Sequence, residues 1–383
     1  MPSPEESINC WLSIIERGRV TSTYKMALGF AIARLVEEGK RQVSMRGLAQ
    51  IFFDLYLERL KYELPQTSNP DEPTIVEQAV TGFKNGSLTM QKARDAIEKD
   101  GFKYVLDAFH RLPEGESPIK FYHRTGLGIM LTDAAYKVFW SPQKDHIIRK
   151  MDARWSELEE GFARKTLGSN VLTWVASNKS VAGANDFLWC RANASEGSIT
   201  HIGGGVRDFA DRITSDLSAG YKVALGFEHP LYIDVAQNPD ERVGFPEEES
   251  QVAEGSGSPR HLDFLPRSGF APGLSETAWV LEKVRTGTGG DVTPTFRWRS
   301  LIDSEGNLFI WEAVVARERN NKQHGTNAEL AARSFLRLYP RLPIPEISED
   351  RSPFSLACAA LMWAGYRINP KALHSPCVVV RAS

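Results

Sequence analysis

Apolar residues recur at helical spacing through about the first 140 positions, then shift to short runs of strand length from about residue 171. Trp11, Ile14 and Ile15 open an amphipathic segment. Thr21-Ser22-Thr23 marks the start of a helix over Tyr24–Glu38, whose Met26, Leu28, Phe30, Ala31 and Leu35 wrap much of its circumference, as expected of a central bundle helix. Ser44 is placed to cap a third helix, Met45–Leu60, with one apolar stripe through Leu48, Ile51, Phe52, Leu55, Tyr56 and Leu60. Helical patterns also cover 74–83 and 89–99, separated by the turn formers around Lys84-Asn85-Gly86. Short extended pieces at Ile119–Tyr122 and Gly128–Leu131 predict a small β-element, with Thr132 or Asp133 capping the helix that follows. Gln143–Arg164 reads as a long charged helix, a connector or partner-facing element with Ile147, Met151, Trp155, Leu158 and Phe162 on its apolar side.

The remainder predicts a mixed sheet. Phe187–Ala192 and Ile199–Ile202 form paired strands joined by the turn formers of 193–197. Gly203-Gly204-Gly205 leads into a helix over Val206–Leu217, and Lys222–Phe227 returns as a strand. Residues 237–270, rich in Pro, Glu, Gly and Ser, read as a long functional or mobile loop. A helix at Ser275–Val284, strands at Phe296–Ile302 and Leu308–Trp311, helices at Asn327–Leu338 and Phe354–Ala364, and a strand at Cys377–Val380 complete the pattern. The expected organisation is a helical domain over 1–142, a connector helix and linker over 143–170, and an α/β domain over 171–383.

Composition narrows the function classes. A chain of 383 residues with 42% hydrophobic and 25% charged positions has the make-up of an ordered globular protein of two or three domains. A formal net charge of −2 excludes a surface that coats DNA by overall charge, so nucleic-acid contact requires a local patch; the first 150 residues, net positive, are the better phosphate-facing part. The four cysteines, Cys10, Cys190, Cys358 and Cys377, have none of the close spacing of zinc or redox motifs, which fits free thiols in a reducing compartment. The N-terminus lacks the basic region and apolar run of a signal peptide, and no segment approaches about 18 uninterrupted apolar residues. The expectation is a cytoplasmic protein with no membrane partner.

The candidate chemistry lies in two carboxylates. Val223–Leu231, reading VALGFEHPL, is an apolar strand that ends by delivering Glu228 into a His-Pro turn. Glu312 interrupts a second such strand, LFIWEAVV. A carboxylate at the edge of a core requires a partner. On neighbouring strand ends these two would hold Mg or Mn, which prefer hard oxygen ligands, and such a site activates water against a phosphodiester. Glu228 leaving the core into solvent or capping the next segment, and Glu312 paired with Arg297 or Arg299, are the alternatives. The segment His324–Glu329, HGTNAE, brings His324, Asn327 and Glu329 to the same end of the sheet, or supplies only an Asn327 cap and a solvated His324. Gly203–Gly205 has neither the lysine of a phosphate-binding loop nor dinucleotide spacing and reads as a turn.

With VALGFEHPL, WEAVV, the histidine-led helix and the ending LMWAGYRINPKALHSPCVVVRA, residues 181–383 resemble predicted RNase H-like nuclease families. The resemblance implies an RNase H-like fold and a divalent-metal-dependent nuclease, with Glu228 and Glu312 as metal ligands, Asp186 as the first-strand acid, and Asn327 where the closing helix should present an acid, Glu329 completing the shell. Because Asn327 is neutral and Asp186 only begins its strand, the alternative is a catalytically inactive RNase H-like interaction subunit that binds a partner protein or nucleic acid. Residues 8–140, carrying WLSIIERGRVTSTYKMALGFAIARLVEEG, resemble the helical domain ahead of HNH modules in restriction-like and phage-defence proteins, although the HNH histidines and asparagine are absent. The partners so implied are DNA or RNA and a protein of an antiviral defence system.

Overall fold

The Ser3 hydroxyl accepts from the Glu6 backbone N–H while the Glu6 carboxylate accepts from the Ser3 N–H, a reciprocal cap that starts helix α1 (Pro4–Arg17). This helix opens a computed structural model that describes residues 2–18, 20–69, 72–178, 187–236, 267–315, 325–343, 345 and 351–382. The chain divides into two units, Met1–Thr166 and Leu167–Ser383.

In the first unit, α2 (Tyr24–Glu37), α3 (Met45–Arg59), α4 (Ile75–Lys84), α5 (Met90–Asp100), α6 (Val105–Ala108), α7 (Asp133–Phe139) and α8 (Lys144–Leu167) follow α1. Between them β1 (Gln42–Ser44), β5 (Gly128–Leu131) and β4 (Tyr122–Arg124) pair antiparallel, and β2 (Arg111–Leu112) pairs with β3 (Gly115–Glu116). Ser44 accepts from the Gly47 N–H and caps α3 as its sequence predicts. Helix α2 is central because Met26, Ala27, Leu28, Ala31, Ile32, Leu35 and Val36 leave almost no polar side. Helix α8 is not the connector expected from its charge. Its Ile147, Met151, Trp155, Leu158 and Phe162 are buried in the same core as Trp11 and Phe52, so its charged residues, buried Glu159 apart, form the solvated side of a core helix. That core also holds a polar chain. Fully buried Gln66 accepts from Thr23 Oγ1 at 2.7 Å and Trp155 Nε1 at 3.0 Å, and donates to Glu159 at 2.8 Å and Leu64 O at 3.2 Å, satisfying the amide on every side.

The second unit is built on strands β6 (Val171–Asn178), β7 (Phe187–Asn193), β8 (Ser198–Gly204), β9 (Lys222–Phe227), β10 (Tyr232–Ala236), β11 (Pro294–Thr295), β12 (Leu308–Val315), β13 (Arg351–Ser355) and β14 (Val378–Ala382). Seven of them form one sheet in the order β8-β7-β6-β9-β12, with β11 beside the start of β12 and β14 beside its end. Strands β6, β9, β12 and β14 run parallel, while β7 runs antiparallel to both β6 and β8. A helical unit followed by a mixed-sheet unit is the fold class the sequence predicts.

Helices α9 (Val206–Ser218), α10 (Arg267–Gly287) and α13 (Leu356–Trp363) cover one face of the sheet, packing Phe209, Ile213, Leu281 and Leu361 against Trp174, Leu225 and Ile310. Helix α12 (Gly325–Leu338) covers the other, where Phe335 stacks on Trp311 at 5.0 Å. The short helix α11 (Trp298–Ile302) stands where the sequence reads as a strand. Its Trp298 packs edge-on against Phe309 and Phe335, a tertiary contact that overrides the strand-like run FRWRSLI. Likewise Arg351–Ser355 forms β13 against β10, and α13 begins only after Ser355, whose hydroxyl accepts from the Cys358 N–H. Gly203 and Gly204 end β8, and a Cβ at Gly203 would lie 2.2 Å from the Trp189 ring, so close packing requires that glycine. Among the described residues no helix is long and apolar enough to cross a membrane.

Candidate functional site

Strand β6 is the pivot of the sheet. From it the chain runs outward through β7 and β8, then returns by α9 to place β9 against its opposite side, so the carboxyl ends of β6 and β9 flank a topological switch point. Ligands of open α/β sheets bind at such points because the connections diverge there and leave a crevice. Ala176 of β6, Phe227 of β9 and Glu312 of β12 lie in one row across the sheet, which puts Ser177 and Glu228 one step beyond it.

Glu228 is half-buried and closely held. Its backbone N–H continues the ladder to Ala176 O at 2.9 Å. Ser177 Oγ donates to its Oε2, and Asn327 Nδ2 donates to its Oε1 at 3.0 Å. Two neutral donors thus stabilise one carboxylate, and hydrogen bonds to a charged acceptor are the stronger kind. Asn327 is the third residue of α12, inside the helix, and its side chain binds Glu228 in place of the capping role open to it from sequence alone.

Glu312 lies elsewhere. Only 4% exposed and within β12, it accepts from the Leu231 N–H at 2.9 Å. Strand alternation puts it on the face of Leu308 and Ile310, against α9, α10 and α13, whereas Glu228 meets α12 on the opposite face. The two carboxylates therefore do not form the shared strand-end pair predicted from sequence. Glu312 instead anchors the turn Glu228–Leu231 at its Leu231 end. Glu329 is also directed away: two residues from Asn327 on a helix is about 200° of rotation, and Glu329 pairs with Arg333 at 2.6 Å. Asp186 and His324 lie outside the described residues. The first strand of the sheet is β6, not the strand that follows Asp186, and β6 contains no acid. Among the described residues no group of three His, Cys, Asp or Glu side chains could hold a metal ion.

Ser177 escaped the sequence reading because β6 did. The signal was nonetheless present in VLTWVASN, a run of strand formers between Gly168 and a polar stretch. Next to Glu228, His229 shares a hydrogen bond of 2.8 Å between its Nε2 and Thr277 Oγ1 on α10. Burial pushes its pKa down to about 4, so it is neutral at pH 7 and adds no positive charge beside the carboxylate. A Cβ at Gly273 would lie 2.9 Å from the imidazole, so the close approach of α10 to the ring at that position relies on glycine. Gly226 plays the matching part on the other face, where a Cβ would meet Trp311 at 2.5 Å.

No family model, curated protein or solved structure matches the chain.

Proposed function

We propose that the second unit is an RNase H-like, divalent-cation-dependent phosphodiester hydrolase that acts on DNA or RNA in the cytoplasm, in a phage-defence or restriction setting, with Glu228 as the carboxylate of its site. The observation that carries the reading is the placement of Glu228 at the switch point between β6 and β9, held from both sides by Ser177 and Asn327.

One hard cation such as Mg or Mn would rest on Glu228, which supplies the charge, with the Ser177 hydroxyl as a neutral oxygen and waters and a substrate phosphate in the remaining positions; Asn327 turns its amide N–H to Glu228 Oε1 and so holds the carboxylate rather than the cation. Among the described residues no group of three His, Cys, Asp or Glu side chains stands ready to hold a pair of ions. When bound, such a cation stabilises charge on the phosphoryl oxygens and activates water. The chain's own residues hold Glu228 in place: Ser177 and Asn327 orient its two oxygens, Glu312 fixes the turn behind it, and neutral His229 adds no positive charge beside it.

The neutral character of Ser177 and Asn327 favours a second reading, an RNase H-like interaction subunit that binds a strand or a protein partner without cutting. Cation-dependent cleavage of labelled DNA and RNA by the full chain, abolished in Glu228→Gln, supports the hydrolase. Strand binding with no cleavage in Mg or Mn supports the second reading instead.

A further inference from the structure

The first unit carries a cavity of about 500 Å³ formed by the start of α1, the segment before β1, and α7. Its walls include Pro4, Arg41, Asp133, Tyr136, Lys137 and Trp140. Trp140, at the C-terminal cap of α7, is 68% exposed, an unusual placement for the largest apolar side chain, and it meets Tyr136 edge-on at 4.6 Å. The Arg41 guanidinium lies 4.6 Å from the centre of the Tyr136 ring and pairs with Asp133 at 2.7 Å. Both members of that pair are more than half exposed, so it is weak and readily exchanged for another anion. Lys137 adds a second cation, anchored to Pro2 O at 2.5 Å. Tyr136 is only 5% exposed, and its buried hydroxyl has no hydrogen-bond partner among the described residues.

An open aromatic face beside two cations and one acid is the chemistry that receives a base and its phosphate, since every base offers a face to stack and every nucleotide an anion. We infer that this cavity binds a nucleotide of a single-stranded nucleic acid, with the base on Trp140 and the phosphate on Arg41 and Lys137. The site belongs to the helical unit alone and does not rest on the activity proposed for Glu228.

Fluorescence anisotropy of the full chain with a short labelled single strand, in EDTA to silence any cation-dependent step, tests it. Trp140→Ala is expected to weaken binding about fivefold or more, the scale of one lost stacking contact, and Trp140→Phe to restore most of it. Arg41→Gln is expected to weaken binding and to lower the salt slope by about 0.7, one phosphate's share on a single strand. No binding of the strand, or binding that Trp140→Ala leaves intact, overturns the inference. Because Trp140 is exposed, an unchanged unfolding midpoint in Trp140→Ala separates lost contact from lost fold.

Discussion

Glu228 is held because each oxygen of its carboxylate meets a donor that cannot be titrated away near neutral pH. That arrangement makes a direct prediction about Asn327. Asn327→Asp would set two carboxylates within hydrogen-bonding distance, and like charges so close disfavour joint ionisation. Its unfolding midpoint is expected to drop by roughly 2–4 °C without divalent cation, a loss of about 1 kcal/mol for a domain of this size, and to rise when Mg is added, more steeply than the wild type does. A midpoint indifferent to Mg would remove Glu228 from any cation site. Gly226 tests the packing behind the same strand. Its Cβ would enter the Trp311 ring, which is pinned by Phe335, so Gly226→Ala is expected to destabilise the chain by about 1–3 kcal/mol, read as a lower urea midpoint. An unchanged midpoint would mean that the ring is free to move. At this scale the sequence was informative about Glu228, because a carboxylate ending an apolar run is costly without a partner. It was uninformative about the partners, which lie 51 and 99 residues away along the chain and are brought near only by the fold.

The turn Glu228–Leu231 is the element on which the site depends, fixed by Glu312 at one end and by the His229–Thr277 contact with α10 at the other. Its histidine makes it sensitive to acid. A pKa lowered from 6.5 to about 4 means that the unfolded chain takes up a proton on this histidine before the folded chain does. Stability therefore falls as pH drops from about 6.5 toward 4, with a limiting slope of roughly 1.4 kcal/mol per pH unit, and the folded turn protonates only below that window. His110 in the first unit, lowered to about 3 by burial beneath Phe121 and Tyr122, adds a loss of the same sign that extends further into acid. Urea unfolding at pH 7, 6, 5 and 4.5 is expected to show this decline, and His229→Gln to flatten it; an unaltered slope in the variant would mean that the imidazole is solvated. Elements whose signals are local were legible in sequence: Ser44 and its cap, the all-round apolar α2, and the strand Lys222–Phe227. Elements decided by tertiary contact were not. The segment Trp298–Ile302 has strand propensity but packs as a helix around Trp298, and Arg351–Ser355 pairs with β10, so the helix expected from Phe354 begins only at Leu356.

For the whole molecule, the change from helical period to strand-length runs marked the two kinds of architecture, because each period requires its own way of burying apolar surface. The role of α8 was misread for a physical reason: charge density reports the solvated side of a helix, and Trp155 and Met151 show that its other side completes a core. Net charge near zero left nucleic-acid contact to local features, and two are present, the aromatic and cationic cavity of the first unit and the carboxylate at the switch point of the second. The proposed hydrolase activity depends on the second of these. The most direct test is a time course of cleavage of labelled DNA and RNA in Mg or Mn, comparing the full wild-type chain with Glu228→Gln at matched stability. The predicted result is cation-dependent cleavage by the wild type that falls to background in the variant; no cleavage by the wild type, or undiminished cleavage by Glu228→Gln, would contradict it.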